Sequence, residues 1–379
     1  MKILHVVPSY KPAYIYGGPI ESVASLCEAL ISSNNEVSVF TTTANGDVEL
    51  DVRVGEPLLV DGVSVTYFNR ITKGNTHVSP SLWLSLFKEC DKYDVIHIHS
   101  WWNPLVVISA AICHMKKAKV VISPRGMLSQ YIMTKTHGTL KKAIHKYIGR
   151  SALQKSLFHA TAEGEYIECQ NLIQDWQGFL LPNLIKLPEL TPPRSGNEIF
   201  TLVFLSRIHP KKGLELLFEA ISLLKISIRL RIAGSGEESY IQDLKKIASS
   251  LHIDSSIEWL GWMDKTQKFV ELANADLFVL TSFNENFANV VIESLYVGTP
   301  VLLSENIGLA GFVNKTDLGW VSELNVNSIV KTLETAVLDV AKRDLINKTG
   351  KSKITECFSE KIIATAYLEE YSRFVGINN

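Results

Sequence analysis

Residues 276–303 read DLFVLTSFNENFANVVIESLYVGTPVLL. The run Asp276–Leu280 is short and apolar, as a buried strand is. A polar loop follows. Near Ala288–Val297 the apolar side chains Val290, Val291 and Leu295 recur at helical spacing. Gly298-Thr299-Pro300 then breaks the helix and leads into a second apolar run, Val301–Leu303. Strand, helix and strand in so short a span is the crossover unit of a parallel sheet covered on both faces.

The same unit recurs in both directions. Upstream, short runs at Lys2–Val7, Glu36–Thr42, Val95–His99 and Lys119–Ser123 alternate with helical stretches at Gly18–Ser32, Pro80–Glu89 and Asn103–Met115. Leu58–Val60 and Val63–Phe68 flank Asp61-Gly62, a hairpin signal. The segment Pro188–Glu198 holds three prolines and no apolar period, so it reads as a linker. Beyond it the alternation restarts at Phe200–Leu205, Ile228–Ala233, Ile257–Leu260 and Leu277–Leu280, and the chain ends in a helical stretch, Ser359–Phe374. The expected fold class is α/β, with two Rossmann-like domains: residues 1–185, and residues 186–358. A terminal helix within 359–379 is expected to pack back on the first domain. In such sheets ligands bind at the carboxyl ends of the strands, so a cleft between the two halves is expected.

Composition narrows the function. With 379 residues, 46% hydrophobic, 20% charged and a net charge of −1, the chain is an ordinary globular protein, and nothing suggests a nucleic-acid partner. No apolar stretch approaches the roughly 20 residues that span a bilayer. Met1–Val7 reads as a first strand and not as a signal peptide. Five scattered cysteines form no Cys-x-x-Cys pair, so neither a metal site nor a disulfide framework is indicated, and a cytoplasmic location fits. The charge is uneven. Residues 95–162 contain no Asp or Glu but ten Lys and Arg, leaving 28 basic residues against 39 acidic ones elsewhere. A basic patch on an acidic body usually meets something anionic. Within that window Leu140–Ser151 has two faces on a helical wheel. Leu140, Ala143, Ile144, Tyr147 and Ile148 share one arc, and Lys141, Lys142, Lys146 and Arg150 share the other. It reads either as a solvated face or as a contact with an anionic membrane or a lipid-diphosphate acceptor.

Several motifs carry chemistry. Gly17-Gly18-Pro19 joins the first strand to a helix whose free amides attract anions, or is a plain connection. It is not a Gly-x-Gly-x-x-Gly fingerprint. Arg207 and Lys212 flank the loop after the first strand of the second half, where two cations suit a diphosphate. Gly234 opens a Gly-Ser-Gly turn at the next strand end. Glu285 precedes the helix of residues 288–297, and Glu293 lies about two turns inside it. An acid among Val290, Val291, Ile292 and Leu295 is costly to bury without partners, and sugar hydroxyls are suitable partners. His97 reads as a satisfied core residue. His99, Trp101 and Trp102 are candidates to line an acceptor site, because aromatic faces stack on sugars.

Glu285 and Glu293, with Arg207 and Lys212, resemble the Glu-x7-Glu and Arg-x4-Lys signatures of retaining nucleotide-sugar glycosyltransferases of the GT-B fold, above all their large fourth family, group 1 type. The resemblance extends over Gly17-Gly18, Asp94–His99 and Ser123-Pro124-Arg125-Gly126-Met127. It implies that the second domain binds a nucleotide diphosphate sugar, a UDP-sugar being favoured over a GDP-sugar. Arg207 and Lys212 would neutralise the diphosphate, and Glu293 would hold the ribose hydroxyls. Glu285, with amides from Phe287, Ala288 and Asn289, would hold the transferred sugar, and Gly17 and Gly18 would close over the phosphates. It implies no cofactor, no metal, and retention of the anomeric configuration. The acceptor would be a glycan or a lipid-linked oligosaccharide of a bacterial surface polysaccharide, and the enzyme would be cytoplasmic or peripheral on the inner membrane face. A nucleotide-sugar 2-epimerase and a catalytically idle sugar-nucleotide or glycan binder are the alternatives. Two departures stand out. Many members have Glu-Gly-Phe-Gly where this chain has Glu285-Asn286-Phe287-Ala288, and Asn286 is expected to take the left-handed backbone of the first glycine. Many have His-Gly where this chain has Arg125-Gly126. Arginine cannot act as a base near neutral pH, so Arg125 is expected to act by its charge.

Overall fold

The computed structural model describes residues 1–135 and 148–376, which form two compact units, Met1–Lys186 with the terminal segment from Phe358, and Leu187–Cys357. In the first unit the strands are β1 (Lys2–Val6), β2 (Glu36–Thr42), a small hairpin β3 (Ala44–Asn45) and β4 (Val48–Glu49), β5 (Pro57–Val60), β6 (Val63–Phe68), β7 (Val95–His99), β8 (Val120–Ser123), β9 (Leu157–Ala160) and β10 (Gly178–Leu180). Eight of them form one sheet in the order β10-β9-β8-β7-β1-β2-β6-β5. Every pair in it is parallel except β5 with β6, which close a hairpin through Asp61 and Gly62, both with positive φ (48° and 84°). Positive φ at both central residues is the mirror-image turn that fits strand twist.

The second unit holds β11 (Phe200–Leu205), β12 (Ile228–Ala233), β13 (Ile257–Gly261), β14 (Leu277–Leu280), β15 (Val301–Ser304) and β16 (Gly319–Ser322), all parallel, in the order β13-β12-β11-β14-β15-β16. The crossover unit of residues 276–303 is present, as β14, the helix Asn289–Tyr296 and β15. Each sheet reverses its winding once, between β1 and β7 in the first unit and between β11 and β14 in the second. Such reversal points are where open α/β sheets bind ligands.

The strands are covered on both faces, which is why their sequences read as unbroken apolar runs: Val95 to His99 are all buried. The segment of the expected linker belongs to the second unit. Arg194 donates to Thr299 Oγ1 at 2.8 Å and to the Ala275 carbonyl, and Tyr296 donates to the Pro188 carbonyl. The terminal helix Glu360–Val375 packs in the first unit against the helix Gly18–Ser32, burying Tyr367 and Tyr371. Among the described residues no helix is long and apolar enough to cross a membrane.

Candidate active site

In the second unit the loops after β11 and β14 are tied together by their backbones. Phe283 N donates to the Lys211 carbonyl at 2.9 Å, and Thr281 Oγ1 donates to the Gly213 carbonyl at 2.9 Å. Gly213 is left-handed (φ 67°), and a Cβ there would lie 2.2 Å from the Thr281 carbonyl oxygen. The approach is therefore open only to glycine. It brings Lys212 to Glu285: Nζ lies 2.6 Å from Oε1, with both side chains largely buried. This pair stands on the carboxyl side of the sheet, where its winding reverses. Glu285 is fixed through its backbone as well, its N–H donating to Asn306 O and its carbonyl accepting from Gly308 N. Arg207 is exposed on the same loop as Lys212.

Glu293 lies inside the helix Asn289–Tyr296 with its side chain 4% exposed, and Lys268, on the neighbouring helix Lys265–Asn274, gives Nζ to its Oε1 at 2.7 Å. Lys268 escapes the sequence reading, since nothing in its own segment marks it apart from Lys265. The helix of Glu293 begins at Ala288, which has φ 67° and ψ 74°. The left-handed residue of this loop is thus Ala288, and Asn286 is not among the positive-φ residues, contrary to expectation. The reason is packing. Phe287 is buried, and Glu285 is clamped to residues 306–308, so the reversal into the helix falls on the residue after both. Asn289 opens the helix. Gly234 has φ 142°, and a Cβ there would meet the Ser206 carbonyl at 1.9 Å, so its glycine serves the close approach of the β11 and β12 loops.

In the first unit Gly17 caps the helix Gly18–Ser32 with φ 74° and ψ −144°, a conformation reserved for glycine, and Pro19 follows in the first turn. Arg125 follows β8. Its guanidinium donates to Asn183 Oδ1 at 2.7 Å, to Ser22 Oγ at 3.1 Å and to His99 Nδ1 at 3.2 Å, all neutral partners. Burial lowers its pKa from the usual value. Arginine only donates, so His99 Nδ1 is an acceptor and neutral His99 carries its proton on Nε2. That proton goes to His5 Nδ1 at 2.9 Å. His5 therefore holds its own proton on Nε2, which is buried and has no partner.

His97 is a satisfied core residue, bonded to Ser123 Oγ and Tyr371 OH, each at 2.6 Å. His159 joins the same cluster through Ser123 and Tyr367. Burial, reinforced by the Arg125 charge, holds His5 and His159 at about 3, and burial pushes His97 and His99 well below the ordinary imidazole value. The ring nitrogens of His5, His97 and His99 lie within 4.8 Å of one another, near enough for a metal. The guanidinium beside His99 would repel a cation, and both nitrogens of His97 are engaged, so these residues fit a hydrogen-bonded cluster better than a metal site.

Two expected acceptor residues are placed elsewhere. Trp101 is fully buried in the hydrophobic core with Leu105 and Leu128, because Ser100 takes a left-handed backbone (φ 80°) that turns the chain inward after β7. His99 is buried against the ring of His5. Trp102 stays half-buried, its Nε1 donating to the Met127 carbonyl at 2.6 Å. Arg150 is exposed at the start of a short helix, Arg150–Gln154, while Lys141, Lys142 and Lys146 lie outside the described residues.

Comparison with known proteins matches both units. A model described as "Glycosyltransferase Family 4" covers residues 16–165, and one described as "Glycosyl transferases group 1" covers residues 192–353. The lipopolysaccharide core biosynthesis glycosyltransferase LpsE of Rhizobium meliloti is 30% identical over 166 residues, 44% of this chain and 47% of that protein. An uncharacterized glycosyltransferase of Methanocaldococcus jannaschii, MJ1607, is 26% identical over 98% of both chains. The crystal structure of Anabaena HepE in complex with UDP and glucose superposes with a TM-score of 0.76 at 17% identity, over 98% of this chain and all of that one.

Proposed function

We propose that this chain, which belongs to the group 1 glycosyltransferases of the GT-B fold, moves a hexose from a UDP-sugar onto a glycan or lipid-linked oligosaccharide of a bacterial surface polysaccharide. The observation that carries the reading is the Lys212–Glu285 pair at the reversal point of the second sheet, with buried Glu293 in the helix that follows. In this reading Lys212 and Arg207 stabilise the charge that grows on the departing diphosphate. Glu293 accepts from the ribose hydroxyls. Glu285 accepts from hydroxyls of the transferred sugar, beside the amides of Phe287, Ala288 and Asn289. Gly234 lets its loop pass close to the nucleotide. In the first unit Gly17 and Gly18 offer helix-start amides, and Arg125 supplies a fixed positive charge near the reacting sugar, with Trp102 as an acceptor contact. The UDP assignment draws on HepE, and the surface-glycan assignment on LpsE.

The bond between C1 of the sugar and the β-phosphate oxygen breaks, and the acceptor oxygen bonds to C1 on the same face. The acceptor proton passes to the departing phosphate, and because the new bond forms on the face that the phosphate leaves, the anomeric configuration is retained. With Lys212 and Arg207 on the diphosphate, no metal is required. The basic window of residues 95–162, with Arg150 exposed, supports a peripheral position on an anionic inner membrane face.

Thermal shift with UDP, GDP and ADP tests the donor assignment, because a ligand of the folded state raises Tm. UDP should give the largest rise. UDP release from UDP-sugars should then proceed unchanged in EDTA, and the product glycoside should keep the donor's α configuration by proton NMR. No shift with any of the three nucleotides would end the donor reading, and an inverted product would end the mechanism.

A further inference from the structure

Arg125 sits in a strained turn. Met127 N donates to the Pro124 carbonyl at 3.1 Å, and the two central residues, Arg125 and Gly126, have φ of 53° and 75°. This is a mirror-image turn, which selects Gly, Asn or Asp at its first central position and disfavours a long side chain. Something outside the turn must hold it. The helix Glu163–Leu172 does so with two carboxylates one turn apart on the same face. Glu165 Oε1 accepts from Gly126 N at 2.6 Å, and Glu168 Oε1 accepts from Gln130 N at 3.2 Å. Glu165 is buried, and its second oxygen is also used, accepting from Thr161 N at 2.8 Å and Thr161 Oγ1 at 3.2 Å. Both lie just beyond the acid-free window of residues 95–162, and they return to its centre.

We propose that Glu165 is a positioning residue: it locks the left-handed turn at Arg125–Gly126 and thereby fixes the direction in which the Arg125 guanidinium points. The inference rests on the reading above only for the consequence, that Arg125 works at the reacting sugar. A carboxylate is needed because donors approach both oxygens, two from Thr161 and one from Gly126. Glutamine has one accepting oxygen. The two donors of Thr161 would claim it and leave an NH2 group against the Gly126 N–H. Glu165→Gln should therefore release the turn while leaving the helix and its buried stem in place.

The test combines two readouts on the full chain. Phenylglyoxal modification of Arg125, followed by peptide mass spectrometry, reports whether the guanidinium is still held by Ser22, Asn183 and His99. UDP release from UDP-glucose reports turnover. In Glu165→Gln, Arg125 should be modified several-fold faster. Turnover should fall by about tenfold or more with KM nearly unchanged, as misplacement of one group by an ångström produces. In an Arg125→Asn background, Glu165→Gln should cost no further turnover, because the glutamate acts only through that arginine. Should Glu165→Gln fold poorly, Glu165→Asp, which keeps the charge and shortens the reach, gives the same reading of Arg125. Unchanged Arg125 reactivity in a variant that melts like the parent overturns the proposal. Faster modification without loss of turnover sustains the positioning role and removes Arg125 from the reacting centre instead.

Discussion

Replacing Lys268 by Met strands a buried acid. The Lys268–Glu293 pair has an N–O distance of 2.7 Å, and its side chains are 12% and 4% exposed. Removing one partner of a buried pair leaves an uncompensated charge and costs about 3–5 kcal/mol. Loss of the contact between the Lys268 ammonium and the Phe269 ring, 5.2 Å away, works in the same direction. For a unit of this size each kcal/mol moves the midpoint by roughly 2–4 °C, so Lys268→Met should lower the second unit's Tm by roughly 6–20 °C. The double variant Lys268→Met/Glu293→Leu behaves differently. Well-packed apolar residues in place of a buried ion pair are neutral or stabilising. It should melt at or above the parent, giving a strong coupling in the double-mutant cycle. It should nevertheless bind UDP worse, because Glu293 is the proposed ribose ligand. A charged hydrogen bond is worth about 1.5–3 kcal/mol, a ten- to hundredfold rise in Kd. Differential scanning calorimetry with and without UDP reads both effects. Additive single losses would refute the pairing. A double variant that UDP stabilises as much as it does the parent would refute the nucleotide role.

Glu285→Ala should reduce turnover far more than affinity for bare UDP, since its proposed contact is to the sugar; equal losses by isothermal titration and UDP-release assays would confine Glu285 to holding Lys212. Ala288→Gly should stabilise the second unit in urea titrations by about 0.5–1 kcal/mol. It removes a left-handed alanine worth roughly 1–2 kcal/mol and adds glycine's extra unfolded-state freedom of about 0.5–1 kcal/mol. The histidine cluster sets a pH limit. His5, His97, His99 and His159 stay neutral when folded, far below the pH at which the unfolded chain takes up protons. Their contribution is intact above the unfolded value near 6.5 and is lost as pH falls below it, towards about 3 for His5 and His159. Each can contribute a slope of up to about 1.4 kcal/mol per pH unit in that window, which urea melts of the parent and His5→Gln at pH 7, 6 and 5 would measure, a flat profile contradicting it. Vesicles with anionic lipid should bind the protein at low salt and release it as salt rises. Lys141, Lys142, Lys146 and Arg150 changed together to Gln should abolish binding without affecting UDP, and salt-independent binding would leave that segment an ordinary solvated face.

A parallel strand is buried on both faces and its sequence shows it, so runs such as Val95–His99 and Leu277–Leu280 were legible, with the helices between them. One residue beyond such a run the cue fails. Trp101 and Trp102 are alike in sequence, yet Trp101 is core and Trp102 half-buried, and the decision lies with a left-handed Ser100, a residue type that gives no warning of it. Asn286 looked like the left-handed position because of what asparagine tolerates. The chain puts the strain on Ala288, since the burial of Phe287 and the clamp on Glu285 outweigh a preference of about 1 kcal/mol. Acids in apolar surroundings announce that they need partners, which is how Glu285 and Glu293 could be read. The partners are chosen by geometry. Lys268 reaches Glu293 across 25 residues because two helices lie side by side, and Glu165 reaches Gly126 across 39 because its helix lies beside the β8 turn. A close physical reading of sequence therefore finds the need for a counter-charge or an acceptor, and the crossing of elements decides which residue meets it. That is why Arg207, Lys212, Glu285 and Glu293 were legible in the second unit, and Lys268, the partner of Glu293, was not.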